Sequence, residues 1–165
     1  MLMKKNGAVI ALNGHADTLD HLTHLQAVDT PMRPDAFVLS PDQKVEQIAK
    51  HFKAIMETLG LDLADDSLQG TPKRVAKMFV NEVFNGLDPE NKPEPTLFAN
   101  KFGYKGMLVE RDITVHSFCE HHFVPIIGRA TVAYFSSGQV IGLSKLDRIV
   151  KYYASRPQVQ ERLTE

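Results

Sequence analysis

The stretch Met107 to Phe135, MLVERDITVHSFCEHHFVPIIGRATVAYF, decides how this chain folds. Its two flanks, Met107 to Val115 and Ile126 to Phe135, are dense in Val, Ile, Thr and aromatic residues, with Gly128 near the start of the second, and they predict two strands. Between them stand Cys119, Glu120, His121 and His122. Cys119 and His122 have a C-x-x-H spacing, which lets a thiolate and an imidazole converge on one tetrahedral ion from a loop. Such a donor pair suits Zn²⁺ better than Ca²⁺ or Mg²⁺, which prefer oxygen. The spacing alone fits a buried thiol beside a polar turn equally well. On an extended loop His121 would point away from His122 and stay free to move protons. Glu120 would either orient a ligand imidazole or be a solvated loop charge.

Upstream the period changes from two to that of helices. From Gln43 to Leu59, Val45, Ile48, Ala49, Phe52, Ile55, Met56 and Leu59 recur at i, i+3, i+4 and i+7, which predicts an amphipathic helix. A second helix is expected from Thr71-Pro72, a capping hydroxyl followed by a proline at the first helical position, with Val75, Met78, Phe79 and Val83 as its stripe and Gly86 closing it. Leu87 to Asn100 contains Pro89, Pro93 and Pro95 and reads as an irregular connection. Residues 1–36 mix Asn, Gly, Thr, Asp and Pro without a sustained apolar period, so they read as a flexible leader ahead of one domain spanning 37–165. His21 and His24 in that leader would share a helical face suited to a metal, but its composition favours a solvated tail.

Downstream, Ser136-Ser137-Gly138 is a turn and Val140-Ile141 a short extended piece. A third helix is expected from Ser144, its cap, with Leu146, Ile149, Val150 and Tyr153 buried. Lys145 and Arg148 lie near its start, where positive charge opposes the helix dipole. Free amides, the Ser144 hydroxyl and two cations together describe a phosphate site. Lys73 and Arg74 repeat the mismatch at the second helix, with Lys77 one turn on; solvated surface charges are the plain alternative in both places. A fourth helix is expected near Pro157, without a clear stripe before Glu165. Near its start, Glu161 and Gln160 are either dipole-stabilising groups or a means of accepting the paired N–H donors on the edge of guanine.

Composition narrows the class. With 19 Lys and Arg against 20 Asp and Glu, no bulk charge favours nucleic acid or an anionic membrane, so any anion site must be local. One cysteine excludes an intrachain disulfide framework and points to a reducing, cytoplasmic setting. Ala8 to Leu12 is too short for a signal-peptide core or a membrane span.

Four ordered motifs resemble GTP cyclohydrolase I: Gly70-Thr71-Pro72-Lys73-Arg74-Val75-Ala76, Ser117-Phe118-Cys119-Glu120-His121-His122-Phe123, Val140-Ile141-Gly142-Leu143-Ser144-Lys145, and Arg156 to Thr164. The similarity runs from about Gln43 to Glu165. It implies an α+β tunnelling fold, an antiparallel sheet backed by helices, in which several subunits close a barrel with active sites between subunits of a homodecamer. It also implies a zinc-dependent hydrolase that opens the imidazole ring of GTP at C8, releases formate and forms 7,8-dihydroneopterin triphosphate, the first step of folate and pterin biosynthesis. Carried over by motif, Cys119 and His122 would hold zinc and His121 would donate the proton. Arg74, Lys77, Ser144, Lys145 and Arg148 would face the triphosphate, with Gln160 and Glu161 at the guanine. Relative to that family the chain is shortened at its C-terminus. The second cysteine that completes the zinc set, with a further histidine and an arginine, comes from strands beyond these residues, so the fold is expected to be incomplete there. An alternative reading is therefore a non-catalytic shortened subunit that co-assembles with, or inhibits, an intact cyclohydrolase.

Overall fold

A computed structural model describes residues 30–164 and, as backbone alone, the strands β1 (Leu2–Lys5) and β2 (Ala8–Ala11), which pair antiparallel. Of the expected leader, residues 1, 6, 7 and 12–29, including His15, Asp17, His21 and His24, lie outside the described residues. The first full helix, α1 (Pro41–Thr58), starts slightly before the apolar period does, because Ser40 and Gln43 form a reciprocal capping box and Pro41 fits the first turn. It buries Val45 and Met56. A one-turn helix α2 (Asp66–Gln69), capped by Asp65, leads into α3 (Thr71–Met78), which packs on α1 and buries Pro72 and Ala76.

Thr71 is not the cap expected of it. Gly70 occupies that position without a side-chain bond, and the Thr71 hydroxyl instead accepts from Arg74 Nη2 at 2.7 Å. The helix also fails to run unchanged to Gly86. At Phe79–Val83 it widens into a π turn, closed by Phe84 N–H donating to the Phe79 carbonyl. This i→i+5 bond brings Phe79 and Phe84 onto one face, with ring centroids 5.3 Å apart. Short 3₁₀ turns at Asn85–Leu87 and Pro89–Asn91 and a strand, β3 (Leu97–Ala99), order the proline-rich connection.

The central sheet has the order β5 (Pro125–Phe135), β4 (Met107–Cys119), β7 (Pro157–Gln158). Strands β4 (Met107–Cys119) and β5 (Pro125–Phe135) are antiparallel, as their composition predicts, but β4 continues four residues past Val115. His116 interrupts the apolar run without ending the strand, because it occupies an outward position between buried Val115 and Ser117. A bulge after Glu110 sets Arg111 and Asp112 opposite Thr131 alone, with Asp112 at a positive φ of 61°. Strand β6 (Gln139–Ile141) pairs with β3.

Helix α4 (Leu143–Ala154) covers one face of β4 and buries Leu146, Tyr152 and Ala154 against Ile113 and Val115. Its cap is Gly142, not Ser144. The Gly142 carbonyl takes the first helical bonds from Lys145 and Leu146, which leaves Ser144 inside the first turn. The chain then departs from expectation again. Pro157–Gln158 is a strand, β7, paired parallel with the end of β4, and the last helix, α5 (Gln160–Leu163), begins only after it. Pro157 lacks an N–H, which suits a strand edge as well as a helix start, so composition alone could not separate the two. Among the described residues no helix is long and apolar enough to cross a membrane.

Candidate active site

Cys119 is the last residue of β4 and Pro125 the first of β5, so Glu120 to Val124 form the hairpin loop. The loop is closed by Phe123 N–H to the Cys119 carbonyl at 2.8 Å and Cys119 N–H to the Val124 carbonyl at 2.9 Å. Phe123 takes a left-handed φ of 54°, a conformation that costs a non-glycine residue about 1–2 kcal/mol. Its ring offsets that cost by packing edge-on against Phe84 at 5.4 Å and near Phe79 at 6.4 Å. The π turn and the loop are thus one unit: the widened helix supplies the aromatic seat on which the tight turn rests.

Within the loop, Cys119 Sγ lies 3.8 Å from His121 Nδ1 and 3.9 Å from His122 Nδ1. An extended loop would have sent the two imidazoles in opposite directions. The observed turn brings both near the sulfur, with ring centroids 6.3 Å apart. A tetrahedral zinc with usual Zn–S and Zn–N bonds holds sulfur and nitrogen about 3.6 Å apart, so either imidazole is close to chelating distance from the thiolate. The donor chemistry therefore fits one thiolate and one imidazole nitrogen. Among the described residues no three His, Cys, Asp or Glu side chains converge on one point.

The loop is pinned from the other side by β7. Phe118 and Cys119 pair with Pro157 and Gln158, and Glu120 N–H donates to the Gln158 carbonyl at 3.0 Å. Gln158 is 1% exposed, with Nε2 donating to the Tyr153 carbonyl. Ser117, equally buried, donates to the Arg156 carbonyl. Arg156 is itself buried between the rings of Tyr152 and Tyr153, 4.7 Å from each centroid, and Nε donates to the Gly86 carbonyl. Gly86 has to be glycine: a Cβ there would lie 2.0 Å from the Tyr152 carbonyl oxygen. This framework sets Gln160 and Glu161, both exposed in the first turn of α5, directly after the strand that pairs with Cys119.

Sequence reasoning missed one partner. Arg162 forms a fork with the Glu120 carboxylate through Nη1 and Nη2, and Glu120 Oε1 lies 4.0 Å from His121 Nε2. The Arg162 hydrogen bond holds the Glu120 carboxyl below the ordinary range. Glu120 is thus not a freely solvated charge, and the imidazole beside it is that of His121, not His122. The i+42 separation left no local signal for this pair.

The expected phosphate residues lie elsewhere. Ser144, Lys145 and Arg148 sit on the first turns of α4, beside an apolar cavity of about 250 Å³ lined by Leu108, Glu110, Tyr134, Ile141, Leu143 and Leu146. That is the opposite end of β4 from Cys119. Nine residues separate Glu110 from Cys119, about 30 Å of strand at about 3.3 Å per residue. Arg74, on α3, is folded back onto the Ser67 carbonyl at 2.9 Å and the Thr71 hydroxyl, whereas Lys77 is exposed two residues before Phe79. One copy of the chain therefore gathers Cys119, His121, His122, Gln160 and Glu161 at one end of β4, whereas α4 begins, with Ser144 and Lys145 in its first turn, at the other.

An α+β protein whose central hairpin presents a thiol and two imidazoles at its tip is the class defined by this fold. A family model for GTP cyclohydrolase I matches residues 48–165. The chain is 61% identical over 134 residues to GTP cyclohydrolase 1 of Flavobacterium johnsoniae, covering 81% of this chain and 60% of that protein. It is 56% identical over 140 residues to the enzyme of the same name from Aeromonas hydrophila, and 53% identical over 140 residues to that of Escherichia coli, in both cases covering 85% of this chain and 63% of the relative. The chain belongs to the GTP cyclohydrolase I family, an enzyme family with the tunnelling fold, and spans about 60% of the length of these relatives.

Proposed function

We propose that the chain forms part of a zinc-dependent GTP cyclohydrolase I site that opens the imidazole ring of GTP, releases formate and yields 7,8-dihydroneopterin triphosphate. The observation that carries this reading is the hairpin tip, where Cys119 and His122 lie 3.9 Å apart on a loop pinned by the segment that also bears Gln160 and Glu161. Cys119 and His122 would hold the metal. When bound, zinc would make a coordinated water acidic enough to ionise near neutral pH. His121, 65% exposed at its side chain, would give and recover protons at the purine ring, a task suited to an imidazole near neutral pH. Glu161 and Gln160 would read the guanine edge.

The triphosphate residues argue for a site shared between copies. Ser144 and Lys145 open α4 beside the cavity at residues 108–110, nine positions along β4 from Cys119. A second copy presenting its α4 terminus to the Cys119 loop of the first would unite them, consistent with a homo-oligomer. Outward apolar residues such as Ile127, 78% exposed, and Val124, 52% exposed, offer surface for such an assembly.

A second reading follows from the donor count. With two assured ligands where catalytic zinc sites have three, these 165 residues on their own would turn over little GTP and would act as a shortened subunit that co-assembles with, or inhibits, an intact cyclohydrolase. Purified chain, supplied with zinc and GTP, separates the two: bound metal, oligomer size and pterin fluorescence after oxidation are measured with and without an intact relative. Turnover by a zinc-loaded homo-oligomer supports the first reading. No turnover alone, with altered turnover of the relative, supports the second. No zinc, no oligomer and no effect on the relative would overturn both.

A further inference from the structure

Two ion pairs show by contrast what is unusual about a third. Arg33–Asp35 and Lys53–Glu57 are local and more than half exposed, the kind of pair that contributes about 0–1 kcal/mol. Glu120 and Arg162 are 42 residues apart, their side chains are 27% and 14% exposed, and the guanidinium meets both carboxylate oxygens. Fork geometry of this kind fixes direction as well as distance. Of those oxygens, Oε1 also faces His121 Nε2 at 4.0 Å, and the backbone of Glu120 is tied to the Gln158 carbonyl.

We propose that Glu120 is a positioning residue, held by Arg162 of α5, that sets the orientation of the His121 imidazole and locks the hairpin tip to the helix carrying Gln160 and Glu161. The inference rests on the reading that the tip holds the metal and the reacting histidine. His121 is a side chain on a tight turn, and its ring has two broad χ2 wells. With the carboxylate fixed on its Nε2 side, the Nδ1 side is left towards Cys119, and the ring is held between the two groups. Because Arg162 lies two residues after Gln160 and one after Glu161, a movement of α5 pulls on the carboxylate. The guanine-reading residues and the proton-handling histidine thereby keep one fixed spacing. Glu120 and Arg162 contact neither reacting atoms nor metal in this role; they act through His121 and the loop.

The test uses the full chain as Glu120→Gln, Arg162→Ala, the conservative Arg162→Lys, and the double variant Glu120→Gln/Arg162→Ala. The first readout is the NMR signal of the His121 ring in zinc-free protein, which needs neither metal nor turnover. Both Glu120→Gln and Arg162→Ala are expected to shift it, Arg162→Lys to stay near the parent, and the double variant to match Glu120→Gln. The second readout is zinc affinity by competition with a chelator. Each disruptive single variant is expected to weaken zinc binding, because the loop that bears Cys119 and His122 loses its tie to α5, and the double variant no more than the worse single. An unmoved His121 signal in Glu120→Gln and Arg162→Ala, or fully additive losses of zinc affinity, would overturn the positioning role. Failure of parent and variants alike to take up zinc would instead overturn the metal reading, while the His121 signal still decides the positioning role.

Discussion

The two ends of β4 are built differently. At the Cys119 end the chain closes on itself: β7 pairs with the strand, Arg156 is buried between two tyrosines, Phe123 rests on the π turn and Arg162 grips Glu120. At the 107–110 end an apolar cavity stands beside the first turns of α4, and among the described residues neither Lys145 nor Arg148 forms an ion pair. The first end is pre-organised by intrachain bonds before any ligand arrives. The second presents cations at a helix N-terminus, where the dipole opposes them and an anion would relieve both. The difference teaches that a single copy pre-organises a thiol and two imidazoles at one end of the strand but leaves the cations at the start of α4 without an anion.

That contrast can be broken most severely at Gly86. Gly86→Ala places a Cβ within 2.0 Å of the Tyr152 carbonyl oxygen and 2.7 Å of the Ser155 carbonyl oxygen, so the turn that delivers Arg156 and β7 must move. A loss of more than about 3 kcal/mol is expected in denaturant unfolding, beyond ordinary overpacking because the obstacle is backbone. Cys119→Ser is expected to act on chemistry with the fold retained. Bound zinc after dialysis should fall by more than the 10–100-fold that loss of an outer-shell partner causes, with the unfolding midpoint of the metal-free chain nearly unchanged. Equal zinc in mutant and parent would remove Cys119 from the site.

At the other end, Arg148→Ala should leave zinc binding intact and weaken GTP by about 1.5–3 kcal/mol, with a smaller effect on a guanosine analogue lacking the triphosphate. Measuring KM for both substrates in the active assembly checks this, and equal losses would make Arg148 structural. The smallest effect belongs to a control at neither end. The Ser67 hydroxyl and N–H hold the carboxyl of Asp65, the cap of α2, below its ordinary range. A depressed carboxylate contributes stability above the ordinary carboxylate range and loses it as the pH falls through the folded value. Asp65→Asn keeps a capping side chain but should flatten that acid-side decline slightly in pH-dependent melting, without touching zinc or GTP.

Local chemistry along the chain was enough to locate α1, both long strands and the Cys119–His122 loop, because helical and strand periods and turn residues are properties of neighbours in sequence. The capping box of Ser40 and Gln43 was no part of that reading, although its S-x-x-Q signature stands just ahead of the apolar run that starts at Val45. Other features required contacts between distant segments. Pro157 became strand instead of helix because β4 offered it a hydrogen-bonding edge. Phe79 to Val83 widened into a π turn where Phe123 and Phe118 pack against the Phe84 ring. Gly142 replaced Ser144 as cap because the chain enters α4 extended from β6. Glu120 found Arg162 across 42 residues. By itself, then, the sequence determined which chemical groups are on offer, since thiol, imidazole, carboxylate and guanidinium are fixed by composition. Only the tertiary structure decided which of them meet, since that depends on strand pairing and packing across long loops: it brought Cys119, His121 and His122 together at one end of β4 and started α4 at the other.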